Sequence, residues 1–134
     1  MRARDADKPV GLWIDHRGAT LVAVTREAAT VQHIASGVAR QVRLVSLPAP
    51  LAADDVRDRR IGQQLHRFYD TVVAALNGAD AILIMGPGEA KRELAQALQA
   101  AHPGRQLADV AQLENADRRT ERQIVARVRA WAQG

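Results

Sequence analysis

The chain contains no cysteine. That excludes disulfide stapling, a thiolate nucleophile and any zinc site built on cysteine ligands. Aromatic residues are nearly absent as well, with two Trp, one Tyr and one Phe. The core must therefore be built from Ala, Val, Leu and Ile, and few rings remain for stacking on bases. No apolar run is long enough to span a bilayer, and no positively flanked apolar segment resembles a signal peptide. Cytosolic residence without membrane attachment is the expectation. Only Lys8 and Lys91 are lysines, so arginine supplies almost all of the net charge of +4. A planar guanidinium suits bidentate recognition of phosphate or carboxylate, and the basic balance is compatible with a nucleic-acid partner.

At 134 residues, 47% of them apolar, the chain fits one domain over 1–134 with a substantial core. Residues 1–9 are charged and read as a loose terminus. Val10 to Asp15 reads as a strand, and His16-Arg17-Gly18 as a tight turn. Ala19 to Thr25 returns as a second strand. Thr30 to Ser36 and Gln41 to Leu47 alternate apolar and polar residues, which completes an antiparallel meander of four strands. Pro48 to Asp58, with two prolines and three acids, reads as a flexible loop.

From Asp58 to Leu76 the apolar residues Ile61, Leu65, Phe68, Val72 and Leu76 recur at helical spacing, and Asn77-Gly78 closes that helix. Ala81 to Met85 is an uninterrupted apolar run, too short for a helix and matched to a strand buried on both faces. Gly86-Pro87-Gly88 breaks it, and a helix follows from Glu89 to Ala101. A modest strand is expected over Leu107 to Leu113. Thr120 to Gln123 is a capping-box pattern opening a last helix with the stripe Ile124, Val128 and Trp131. The expected fold is α/β: a mixed sheet that begins as a meander and continues helix-strand-helix-strand-helix.

The run from Phe68 to Trp131, headed by FYDTVVAALNGADAILIMGPGEAKREL, resembles the middle domain of class I release factors. These are the archaeal and eukaryotic type, with their ribosome-rescue relative Pelota and bacterial homologues. Trp13-Ile14-Asp15-His16-Arg17 followed by a hairpin is similar to the start of the same domain. The resemblance implies a free-standing middle domain with an RNase H-like, translational-machinery fold. It also implies partners in translation, the ribosome or tRNA and rRNA, and it places RNA contact near the start of the long helix. Release factors carry a Gly-Gly-Gln tripeptide on the loop leading into that helix. Here the corresponding residues are Ile61-Gly62-Gln63-Gln64. Only Gly-Gln is left, and the apolar stripe puts it inside the helix.

Four groups of residues carry chemistry. Arg57, Arg59, Arg60, His66 and Arg67 lie at the start and on the polar side of the long helix, where they could follow an RNA backbone. Asp54, Asp55 and Asp58 partly offset them. Tyr69 is the lone candidate for base stacking. Gly86, Gly88 and Lys91 form a strand-to-helix turn that could hold an anion, although Glu89 opposes one and no Walker-type Gly-Lys-Ser/Thr follows. Asp15 and His16, at a strand end, and Gln63 are the only candidates for catalysis. No second cluster of carboxylates accompanies Asp15, as a metal nuclease would require. Arg118, Arg119, Arg122, Arg127 and Arg129 surround the last helix and read as a solvated face. His33 and His102 read as structural. No metal site or cofactor is indicated. A non-enzymatic RNA- or ribosome-binding module is the leading reading. The alternatives are a small hydrolase acting on peptidyl-tRNA or nucleic acid, and a subunit that binds another protein through a sheet edge.

Overall fold

A computed structural model describes residues 3–38 and 52–134, with 52–55 as backbone alone. Strands β1 (Pro9–Ile14), β2 (Gly18–Val24) and β3 (Ala29–Ala35) form the meander. Helix α1 (Ala52–Ala75), strand β4 (Ala81–Gly86), helix α2 (Ala90–Ala101), strand β5 (Ala111–Asn115) and helix α3 (Glu121–Gln133) follow. The five strands make one mixed sheet in the order β3-β2-β1-β4-β5. β1 is central, antiparallel to β2 with Leu12 opposite Leu21, and parallel to β4 with Leu12 opposite Ile84. β5 extends the parallel half, with Ile84 opposite Leu113.

Period-two alternation decides which side chains meet which helix. Leu12, Ile14, Leu21, Ile82 and Ile84 point to one face and pack under α1 and α2, against Phe68, Val72, Leu76, Leu94 and Leu98. Trp13, Val22, Leu83 and Met85 point to the other and pack under α3, against Ile124 and Val128. Helices on both faces explain why all six residues of β4 are buried, as its unbroken apolar run predicts. The approach of α3 to the sheet requires Gly11, because a Cβ there would lie 2.3 Å from Val128 Cγ2.

Two expectations change. The long helix begins at Ala52, six residues before Asp58. Ala52 and Ala53 are strong helix formers, and their propensity extends the helix through a charged stretch that reads as a break. The expected strand at Leu107 starts instead as a 3-10 turn over Leu107–Asp109, and β5 pairs only from Ala111. The strand expected over Gln41 to Leu47 lies outside the described residues, as does the start of the expected loop, at 48–51. At the other end of the chain, Asp80 accepts the amides of Asp7 and Lys8, each at 2.8 Å. Among the described residues no helix is long and apolar enough to cross a membrane.

Candidate nucleic-acid interface

α1 buries Phe68 and Val72 one helical turn apart, and Leu76, just past its end, continues the line, so the opposite side of the cylinder faces solvent. Arg59, Arg60, Gln63, His66, Arg67 and Asp70 are exposed there. His66 Nε2 lies 3.4 Å from Asp70, one turn on. Arg59, Arg60 and Arg67 form no ion pair among the described residues. Arg57 sits differently, half-buried at the edge of this row. The helix is fixed in rotation by Gln64, whose Nε2 donates to the Ser36 carbonyl at 2.6 Å. Ser36 is itself buried, and its hydroxyl donates to the His16 carbonyl at 2.7 Å. Gly62 and Gln63 are exposed in the middle of α1, with open space around Gly62. Gln63 therefore projects from a regular helix and not from a loop.

Tyr69 does not serve as a stacking platform. It is 7% exposed, and its hydroxyl donates to Glu93 Oε1 at 2.7 Å. His16 Nε2–H donates to the same oxygen at 2.6 Å. One carboxylate at the start of α2 thus ties α1 to the β1–β2 turn. Burial, and then the bond to Glu93, push the Tyr69 hydroxyl well above its ordinary value. For Glu93 the largest influence is burial, which favours the neutral acid. The bonds from Tyr69 and His16 together outweigh it and hold the carboxyl below its ordinary value.

That lowered value has a definite sign. The stabilisation is complete above the unfolded carboxylate value and is lost as pH falls through the lower folded one. Tyr69→Phe should cost about 1 kcal/mol, the low end for a bond to a partly exposed charge. Glu93→Gln should flatten the acid side of the stability profile. Urea midpoints at about pH 6 and about pH 3 check both. An unchanged acid limb in Glu93→Gln would exclude Glu93 as a contributor.

Asp15 is engaged by its own turn, with Oδ1 accepting the amides of Arg17 at 2.8 Å and Gly18 at 3.1 Å. The structure therefore places Asp15 and His16 in separate hydrogen-bond sets. Among the described residues no group of three or more metal-ligating side chains converges. At the second turn, Gly86 is buried and Gly88 adopts a left-handed φ of 61°. Lys91 is 2% exposed, and its ammonium donates to the Gly88 carbonyl at 2.6 Å. The lysine closes this turn from within; its charge is not presented to solvent.

The arginines around α3 divide. Arg127 makes a bidentate pair with Glu114, at 2.6 and 2.9 Å. Arg118 is exposed and Arg119 half-buried beside the start of α3, whose capping box forms as expected. His33 is not isolated, since Nε2 donates to Glu121 at 2.7 Å. His102 forms the C-cap of α2. Sequence reasoning missed Glu93, Ser36 and Gln64, which hold the helix row and the turn in place. A signal was available for Glu93: a phenol next to a core Phe must find a polar partner when buried.

The parallel strands β1, β4 and β5 all end at this edge of the sheet, where open α/β sheets carry their ligands. Two solved structures share the arrangement. Pelota from Archaeoglobus fulgidus superposes with a TM-score of 0.56 at 14% identity, over 92% of this chain and 31% of that one. Pelota from Thermoplasma acidophilum superposes with a TM-score of 0.57 at 18% identity, over 97% of this chain and 34% of that one. The fold is Pelota-like. The chain spans about a third of the length of each Pelota structure. No family model and no curated protein matches the sequence.

Proposed function

We propose that this chain is a non-catalytic RNA-binding module of the translation machinery, corresponding to the middle domain of Pelota and the release factors. In this reading, residues 1–134 act as one domain on the ribosome or on tRNA. The observation that carries it is the row of exposed arginines Arg59, Arg60 and Arg67 on the solvent side of α1. Guanidiniums held on a rigid helix, with no ion pair among the described residues, are placed to neutralise successive phosphates. The placement of Gly62-Gln63 within regular helix favours binding over peptidyl-tRNA hydrolysis.

Arg59→Ala/Arg60→Ala removes two of these charges at exposed positions, so the fold should be unaffected. Binding to bulk tRNA, followed by filter retention across a salt series, should weaken. The slope of log affinity against log salt should shrink by about 1.4, two contacts at roughly 0.7 each. Affinity and slope equal to the parent's would remove the α1 row from the interface.

A further inference from the structure

We propose a second RNA-phosphate site on the opposite face of the sheet, in the groove between the β1–β2 turn and the start of α3. It rests on the RNA-binding reading above and extends the contact around the sheet's carboxyl edge. The groove encloses about 380 Å³ and is lined by Arg17, Arg118 and Arg119, with His33, Asp15 and Glu121 among its other walls.

Both carboxylates of the groove are already engaged. Asp15 accepts the amides of Arg17 and Gly18, and Glu121 accepts from His33. His33 Nδ1 in turn lies 3.2 Å from the Thr20 hydroxyl. The three guanidiniums form no ion pair among the described residues. Arg119 feels the charge of Glu114, but that carboxylate is held bidentately by Arg127. Three guanidiniums against two carboxylates leave the lining positive, and arginine geometry fits phosphate oxygens.

The segment presenting Arg118 and Arg119 is also fixed in place. The Trp13 indole N–H donates to the Asp117 carbonyl at 3.0 Å. The Ala116 amide donates to the Gly86 carbonyl at 3.1 Å, and Thr120 closes the capping box beyond. Little entropy is then lost when an anion is bound. Of the rings in the lining, Trp13 is 8% exposed and the His33 imidazole is held by Glu121 and Thr20, so the groove reads backbone and not bases.

Arg17 links the two surfaces. The Ser36 amide donates to the Arg17 carbonyl at 2.9 Å, and Ser36 accepts from Gln64 of α1 at 2.6 Å. The β1–β2 turn therefore stands between the α1 row and the groove, and one strand can run along the edge past both.

The test uses the full chain and a labelled single-stranded RNA oligonucleotide of mixed sequence, followed by anisotropy across a salt series. Arg118→Ala/Arg119→Ala should weaken binding and lower the salt slope by about 1.4. Arg17→Ala/Arg118→Ala, at two exposed positions, should do the same and guards against a folding defect at half-buried Arg119. Combining a groove pair with Arg59→Ala/Arg60→Ala should give roughly additive losses. Parent-like binding in both groove variants overturns the inference, and the function stands if the α1 pair still weakens binding. Loss in the groove variants with none in the α1 pair supports the groove and overturns the α1 row. No RNA binding by the parent at low salt overturns both.

Discussion

Gly86→Ala should lower the stability of the fold by about 3 kcal/mol or more. A Cβ at this position would lie 2.1 Å from the carbonyl oxygen of Ile14. That atom is backbone of β1, the central strand, and it cannot swing aside as a flexible side chain can. Relief requires β1 and β4 to separate at the point where both are buried between helical layers. Overpacking commonly costs about 1–3 kcal/mol, and a clash with fixed backbone belongs at or above the top of that range. A domain of this size has roughly 5–15 kcal/mol in hand. Gly88→Ala, two residues on, is the control. Its φ of 61° is left-handed, but nothing lies within 4 Å of an added Cβ. That change should cost only about 1–2 kcal/mol. Urea melts followed by far-UV circular dichroism separate the two. A Gly86→Ala midpoint close to the parent's would mean that the strands do not approach as described.

The second large effect is Ile84→Ala. Ile84 is fully buried, between β1 and β5 in the sheet and beneath α1 and α2. Truncation leaves a cavity walled by regular structure that cannot collapse into it, at a cost of about 2–5 kcal/mol. Leu113 is its partner on the edge strand and is 40% exposed. Leu113→Ala should fall within about 0.5 kcal/mol of the parent. Equal losses at the two positions, by urea midpoint, would contradict the assignment of β4 as a central strand and β5 as an edge.

The contrast between these positions indicates what the sequence makes legible. Ala81 to Met85 reads directly as a doubly buried strand because continuous apolarity has few other uses at that length. The capping box at Thr120 and Gln123 is local, so it survives unchanged into the structure. Interactions between distant segments are not visible in that way. Tyr69 reads as the lone ring available for base stacking. It is buried because Glu93, on another helix, supplies the acceptor its hydroxyl needs. Lys91 reads as an anion ligand beside two glycines, whereas its ammonium is turned inward on Gly88. Arg118 and Arg119 read as a solvated face. Their separation from Arg127 follows from Glu114 on β5, a contact that helical spacing cannot reveal. Arg59, Arg60 and Arg67 are legible as exposed because amphipathic periodicity determines which side of a helix faces solvent, whereas Arg57 is half-buried.

In the proposed reading, this fold meets RNA in the translation machinery through arginine–phosphate contacts. Sedimentation of the purified protein with ribosomes across a salt series tests it most directly. Association is expected at low salt and declines steeply as salt rises, through release of the counterions those phosphates hold. Association indifferent to salt, or none at low salt, would contradict it.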